Sequence, residues 1–253
     1  MPDAHALLSP SSASRWMHCT PSARLAEGLP EAAPRDFALE GTLAHAMCAR
    51  TLKRPLGLPV DEENAEIARL HARYYNAGMP ADVMTYVRYV RARLNRAPGG
   101  RLLVEQRLDF SRWIPESFGT SDAIILHRGT LHVVDFKYGR GVRVDAEGNA
   151  QMRIYALGAL AAYGAALDIH TVRMAIVQPR LAHFSEATER AADLLHWADT
   201  ELRTAALSAW RGRGPRRGGP WCRFCRLRPD CPECAASSGL RPAAADDFRG
   251  ITL

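Results

Sequence analysis

The chain has 253 residues, of which 47% are apolar and 24% are charged. This length supports one well-filled core and excludes a mini-protein that needs crosslinks to fold. The formal charge is +6, from 33 basic against 27 acidic residues, and arginine is strongly preferred over lysine. Guanidinium groups grip phosphate, so a polyanionic partner is compatible with this balance, although a GC-rich genome produces the same arginine content.

The sequence lacks the features of a membrane or secreted protein. No stretch approaches the roughly 18 to 20 apolar residues that span a bilayer, and no basic segment followed by an apolar run opens the chain. We therefore expect a soluble protein of the cytoplasm, without a membrane partner. In a reducing cytosol, the six cysteines indicate a metal or cluster site more than disulfides.

Hydrophobic periodicity predicts helices in the first part of the chain and strands after Pro98. The predicted helices are a short one carrying Ala13, Trp16 and Met17, then 37–52, 62–76, 81–95, 149–163 and 186–210. The predicted strands are 102–110, 122–126 and 131–136, forming an antiparallel meander, and a buried strand at 172–177. The segment 211–220, made of Arg, Gly and Pro, predicts an irregular linker.

Two acidic residues and a lysine are predicted at the ends of a hairpin. The period-2 geometry of a strand puts Asp135 and Lys137 on one face, and pairing with the preceding strand brings Asp122 beside Asp135. Convergent carboxylates suit a hard cation such as Mg²⁺ or Mn²⁺. An isolated Asp-x-Lys is more often a surface salt bridge, so the neighbouring residues must distinguish a salt bridge from a metal site.

These surroundings resemble the PD-(D/E)XK nucleases, which place such residues on a hairpin followed by a helix and another strand. Ser121 replaces the motif's leading proline, and its third member is Asp rather than Glu. Gln151 and Tyr155 share a helical face and match the Gln-x-x-x-Tyr signature of the RecB-like branch. His45, in Glu-Gly-Thr-Leu-Ala-His, matches that branch's N-terminal histidine, although a histidine on an apolar helix is often only a packed core residue.

The resemblance implies a role for each of these residues. The metal ligands would be His45, Asp122, Asp135 and the main-chain carbonyl of Phe136. Lys137 would position or activate the attacking water and stabilise the transition state. Gln151 and Tyr155 would orient the substrate or the lysine. Glu105 is a further candidate acid, against the simpler reading of a solvated strand residue.

The cysteines suggest a second metal centre. Three of them, Cys222, Cys225 and Cys231, follow the linker in Cys-x2-Cys-x5-Cys spacing. With Cys234 as fourth ligand they would form a compact zinc site. With Cys19 they match the split pattern of iron–sulfur nucleases related to AddB and to the CRISPR adaptation nucleases, in which a [4Fe–4S] cluster joins the termini. The second pattern is favoured, and Cys48 is predicted to be a small core residue.

The resemblance extends from Ser9 to Cys231 and is closest to an uncharacterised family common in phages and prophages. Shared blocks include Glu-Gly-Thr-x-Ala-His, Asp-Phe-Lys-Tyr-Gly and Val-Gln-Pro-Arg. It implies an α/β fold, with a restriction-endonuclease-like mixed sheet flanked by helices and the terminal segments joined at the cluster. Four divisions are expected. Residues 1–36 form an N-terminal segment with the first cluster cysteine, and 37–210 form the nuclease core, with a helical insertion at about 55–97. Residues 211–234 form the linker and the cysteine-rich segment, and 235–253 form a tail.

The function expected from this resemblance is a Mg²⁺- or Mn²⁺-dependent deoxyribonuclease, an exonuclease or an end- or flap-processing enzyme in phage or host recombination or repair. It would act on single- or double-stranded DNA, with a phage recombinase or annealing protein as a candidate partner and a homo-oligomer as a candidate form. Phosphate contacts could come from Arg140, Arg143, Arg153 and Arg180, each of which is more simply a solvated arginine. The alternatives are a catalytically silent nucleic-acid-binding module and a zinc-containing structural protein of a phage.

Overall fold

The computed structural model describes residues 6–30 and 35–237. The chain forms two compact units. The first, here called the cysteine unit, comprises Met1–Glu31, Phe110–Phe118 and Trp197–Leu253, and the second, the sheet unit, comprises Ala32–Asp109 and Gly119–His196. Of the predicted tail at 235–253, residues 238–253 lie outside the described residues. No helix in the described part of the chain is both long and apolar enough to cross a membrane.

The predicted helices and strands are largely confirmed. The helices are α1 (Ala13–His18), α2 (Ser22–Glu27), α3 (Asp36–Lys53), α4 (Asp61–Tyr74), α5 (Met79–Asn95), α6 (Ala150–Tyr163), α7 (Ala191–Trp197), α8 (Arg203–Trp210) and α9 (Pro232–Ala236). The strands are β1 (Arg101–Asp109), β2 (Phe118–His127), β3 (Thr130–Phe136), β4 (Thr171–Gln178) and β5 (His183–Arg190).

The five strands of the described residues form one mixed sheet in the order β1-β2-β3-β4-β5. β2 and β3 pair antiparallel, with Ala123 opposite Val134, as the hairpin prediction requires. β3 and β4 pair parallel, with Asp135 opposite Ile176. A parallel pair needs a crossover connection, and α6 provides it. The sheet is therefore a mixed sheet flanked by helices, as predicted.

Helices cover both faces of this sheet. α3 and α5 pack on the face that carries Val134 and Phe136, where the ring of Tyr86 lies 5.0 Å from that of Phe136 and the Tyr86 hydroxyl donates to the Val134 carbonyl over 3.3 Å. Asp135 and Lys137 point to the other face because strand side chains alternate. α6 lies there, begins at the side chain of Asn149, which accepts from the Met152 N–H over 3.2 Å, and is buried along most of its length.

The predicted long helix at 186–210 is wrong at its start. Residues His183–Arg190 form β5, antiparallel to β4, and the helical part begins only at Ala191, with a π-helical turn at Ala198–Leu202 before α8. β5 lies at the edge of the sheet and alternates exposed side chains, including Phe184, Glu186 and Thr188, with less exposed ones. Its Glu and Ala residues favour a helix in isolation, but pairing with the buried strand β4 outweighs that preference.

In the cysteine unit, α1 and α2 pack against α8, so the N-terminal and C-terminal segments share one unit. The predicted irregular linker is confirmed, since residues 211–219 contain no helix or strand. Thr20 Oγ1 donates to the carbonyl of Arg213 over 2.6 Å. At Gly218 an added Cβ would lie 1.8 Å from the carbonyl oxygen of Glu233, so this close approach of two backbones requires glycine.

Candidate active site and cysteine cavity

Asp122 lies at the end of the β2–β3 pairing, one residue before the Ala123–Val134 pair. Its Oδ2 accepts a hydrogen bond from the Phe136 N–H over 2.7 Å, and its Oδ1 lies 3.3 Å from His45 Nδ1. Burial alone would raise the pKa of Asp122, but His45, the Phe136 N–H and Lys137 outweigh burial and lower it. The carboxylate is therefore held ionised and fixed in orientation.

His45 approaches this carboxylate from α3. Its ring meets the ring of Phe136 edge to face, with centroids 5.2 Å apart. Burial opposes a charged imidazole, but the carboxylates of Asp122, Glu105 and Asp135 outweigh burial and raise the pKa of His45 to about 9. The protonated histidine is thus the local counter-charge to a group of acids, and binding of a cation by its ring would displace that proton.

Glu105 completes this group, although the sequence favoured a solvated strand residue at its position. Its backbone φ is +51°, a left-handed conformation in the middle of β1 that breaks the alternation of the strand. One ligand atom each from Glu105, His45 and Asp122 lie within 4.8 Å of one another. Burial, followed by the like charge of Asp122, raises the pKa of Glu105 to about 8.

A second network lies on the neighbouring face, built from Asp135, Lys137 and Gln151. Lys137 Nζ lies 2.9 Å from Asp135 Oδ2 and donates to Gln151 Oε1 over 3.0 Å. Gln151 Nε2 in turn donates to Asp135 Oδ1 over 3.3 Å. Tyr155, one helical turn further along α6, interacts through its hydroxyl with Gln151. The four predicted residues on this face are thus brought together.

Burial and the charges of neighbouring groups set the protonation states of this network. Burial lowers the pKa of Lys137, but Asp135 and Asp122 outweigh it and raise the pKa, so the ammonium stays charged. Burial, followed by the like charge of Asp122, raises the pKa of Asp135 against the pull of Lys137. Burial is also the main cause of the raised pKa of Tyr155. The tyrosine is therefore a neutral hydrogen-bonding group.

The donor set fits a divalent cation. An imidazole nitrogen and carboxylate oxygens from His45, Glu105 and Asp122 are ligands that such cations accept. Asp135 Oδ2 is buried and forms an ion pair with Lys137 Nζ at 2.9 Å. Asp135 lies outside this group of three and interacts with it through the like charge of Asp122, so its ligand role stays a prediction. The ligand role predicted for the Phe136 carbonyl stays a prediction.

Two arginines expected near phosphate are engaged inside the protein instead. Arg180 pairs with Glu40 over 2.6 Å and lies over the ring of Tyr138, and its side chain is only 9% exposed. Arg153 pairs with Glu189 over 2.7 Å. The other two, Arg140 and Arg143, are exposed on the connection between β3 and α6.

The cysteine unit contains a cavity at which the predicted cluster cysteines meet. It is lined by Cys19, Cys222, Cys225, Cys231 and Cys234, together with Arg15, Arg216, Arg217 and Trp221. The main-chain N–H of Arg217 donates to Cys19 Sγ over 3.5 Å. Burial raises the pKa of Cys225, and burial followed by the thiols of Cys222 and Cys231 raises that of Cys234. The sixth cysteine, Cys48, is a buried core residue of α3, as predicted.

The family model described as "Protein of unknown function (DUF2800)" matches residues 5–249. The chain therefore belongs to the DUF2800 family. Among solved structures, a "Putative exonuclease" from Eubacterium rectale is similar at 10% identity and a TM-score of 0.45, covering 97% of this chain and 93% of that one. The crystal structure of SSO0001 is similar at 12% identity and a TM-score of 0.37, covering 87% and 96%. At these scores the likeness assigns neither a residue nor an activity.

Proposed function

We propose that this protein is a metal-dependent DNA nuclease of the PD-(D/E)XK class and of its RecB-like branch. One observation carries the proposal: Asp122, Asp135 and Lys137 converge at the end of the β2–β3 hairpin. Gln151 bonds both Asp135 and Lys137, and His45 contacts Asp122. A surface salt bridge explains none of these additional contacts.

The residues that would hold Mg²⁺ or Mn²⁺ are His45, Glu105, Asp122 and Asp135. When bound, the cation supplies Lewis acidity, which activates water and offsets charge on the scissile phosphate. Lys137, kept protonated by Asp135, directs its ammonium to the charge that develops on the phosphoryl oxygens. Gln151 fixes the ammonium and the Asp135 carboxylate relative to each other, and Tyr155 holds Gln151 from the next turn of α6.

The cysteine cavity is proposed to hold a [4Fe–4S] cluster through Cys19, Cys222, Cys225 and Cys231. Four thiolates with such a cluster carry net negative charge, and Arg15, Arg216 and Arg217 line the same cavity. The N–H of Arg217 bonds a sulfur atom directly, a contact that stabilises a thiolate. Zinc held by Cys222, Cys225, Cys231 and Cys234 is the competing occupant, and the iron and zinc content of the anaerobically purified protein decides between them.

The nuclease proposal is tested with labelled single- and double-stranded DNA in the presence of Mg²⁺ or Mn²⁺. Substitution of Lys137 by Ala removes the ammonium and should slow cleavage on the order of 10²-fold or more. Asp135→Ala should be at least as damaging. Asp193→Ala is the matched control, because Asp193 lies in an exposed surface pair with Arg190. Equal cleavage by the parent, Lys137→Ala and Asp135→Ala would show that the site is misassigned, and a parent without cleavage would favour a silent binding module.

A further inference from the structure

Phe224 is the most exposed of the large hydrophobic side chains in the described residues. Its exposed fraction is 71%, against 50% for the next, Phe184. It lies in the turn between Cys222 and Cys225, whose side chains are buried at the cavity. The guanidinium carbon of Arg223 lies 5.8 Å from the centre of the ring. A single exposed aromatic ring is common on a protein surface, so the residues around Phe224 decide what the ring does.

The turn that carries Phe224 is anchored on both sides. The Cys225 N–H donates to the Cys222 carbonyl over 3.0 Å, which closes the turn. Arg226 donates to the carbonyls of Ala26 and Leu29 over 2.5 and 3.2 Å. Because the flanking residues are fixed, the phenyl ring is held outward.

The neighbouring aromatic residue already has a stacking partner. The ring of Trp221 stacks on that of His18 at 4.2 Å and 10°, and its Nε1 donates to the carbonyl of Arg217 over 2.9 Å. Phe224 is thus the more exposed aromatic residue of this segment, and its ring contact is with the guanidinium of Arg223.

The segment that carries Phe224 is strongly basic. Residues 211–234 contain seven arginines and two acidic residues, Asp230 and Glu233. Arg213, Arg216, Arg217 and Arg223 are exposed. A protein that docked on this surface would need further apolar area, whereas a single ring among guanidinium groups matches a ligand with flat bases and a charged backbone.

We infer that Phe224 stacks on an unpaired base of single-stranded DNA, while the exposed arginines Arg213, Arg216, Arg217 and Arg223 contact its phosphates. The ring supplies a face on which any base can stack, and the arginines supply attraction that is independent of sequence and sensitive to salt. This inference deepens the proposed function, because its ligand is the proposed nuclease substrate. It assigns the cysteine unit a part in holding unpaired DNA.

The test measures binding of a fluorescent oligothymidylate to the full-length protein, in a Lys137→Ala background that limits cleavage. Phe224→Ala should weaken binding roughly 5- to 150-fold, the range for the loss of one stacked base. Phe224→Trp should preserve binding and Phe224→Leu should not, because leucine keeps the apolar bulk but has no π face. The matched control is Phe184→Ala on β5, which should bind as the parent does.

Three further arms separate stacking from other causes. An oligonucleotide of abasic residues should bind the parent about as weakly as thymidylate binds Phe224→Ala. Arg223→Gln should reduce the salt dependence by about one phosphate contact. Iron and zinc content must be unchanged in the Trp and Leu variants, so that the comparison between them stands even where the Ala variant loses metal.

The inference is overturned if Phe224→Leu binds thymidylate as well as Phe224→Trp, or if the parent binds anionic phospholipid vesicles but not the oligonucleotide. Its failure is separable from that of the nuclease proposal. A protein that binds through Phe224 but cuts no DNA contradicts only the activity. One that cuts DNA, while Phe224→Leu binds like the parent, contradicts only the stacking.

Discussion

The sheet unit and the C-terminal segment of the cysteine unit are stabilised by different means. The sheet unit has a large apolar core, in which Leu43, Tyr86, Val134 and Phe136 are almost completely buried. Within residues 211–237 of the cysteine unit, the buried hydrophobic side chains are Cys222, Cys225 and Cys234. Apolar packing therefore supports the active-site geometry. The C-terminal segment has little apolar burial, and under the cluster proposal ligation by its thiols stabilises it instead.

The largest expected effect comes from removing a thiol at the cavity. Cys225→Ser should lose nearly all bound iron and make the linker at 211–220 sensitive to protease, because that segment has little apolar burial to replace ligation. Metal analysis and limited proteolysis measure both effects. Cys48→Ala, in the core of α3, should keep its iron.

The same measurement identifies the fourth ligand. Cys19→Ser should lose iron and Cys234→Ser should retain it if the cluster ligands are as proposed. The reverse result, or stoichiometric zinc in the parent, would contradict the [4Fe–4S] assignment.

In the sheet unit, substitutions should instead reduce turnover by disturbing the geometry of the active site. Gln151→Ala leaves Lys137 and Asp135 without their shared partner, and the turnover number should fall roughly 10- to 100-fold, the usual range for losing a group that orients a metal ligand. Gln151→Glu keeps the acceptor for Lys137 but replaces the donor to Asp135 with a second carboxylate, so turnover should fall here as well. If Gln151 instead contacts substrate, KM for DNA will rise while kcat holds.

A smaller effect is expected at Gly218, where the linker approaches α9. Gly218→Ala places a Cβ against the carbonyl of Glu233, so the free energy of unfolding should fall by more than about 1 kcal/mol. Gly28→Ala is the control, since an added Cβ there meets nothing within 4 Å. Chemical denaturation of both variants makes the comparison, and equal stability would mean that the backbones are not in close contact.

The smallest expected effect is at the start of α6. Asn149→Ala removes the side-chain cap and should cost about 1 kcal/mol of stability. Because Gln151 lies in the first turn of this helix, cleavage should also decrease slightly. Asn64→Ala replaces a partly exposed asparagine near the start of α4. This control should leave both stability and cleavage nearly unchanged in the same assays.

Much of the site was predictable because it depends on strand period and hairpin pairing. The positions of Asp122, Asp135 and Lys137 follow from alternation and register, and the shared face of Gln151 and Tyr155 follows from helical spacing. The sequence contains a further signal for Lys137. Lysine occurs only at positions 53 and 137 of this chain, and every other Lys or Arg position is an arginine. A lysine at the hairpin end therefore departs from the chain's general preference for arginine.

Two features were not predictable from local pattern. Glu105 reaches the site through a left-handed backbone conformation inside β1, and a non-glycine residue gives no sequence signal for it. β5 is an edge strand whose residues favour a helix in isolation, and only its pairing with β4 makes it a strand. Both depend on tertiary contacts that periodicity does not encode.

Asp122, together with His45 and Glu105, is proposed to bind a divalent cation. Electron paramagnetic resonance of Mn²⁺ titrated into the full-length protein tests it most directly, because bound Mn²⁺ loses the sharp signal of the free ion. The parent and the surface control Asp193→Asn should bind Mn²⁺, and Asp122→Asn should bind it at least about tenfold more weakly, since a charged ligand is lost. Equal binding by Asp122→Asn and the parent would contradict the account.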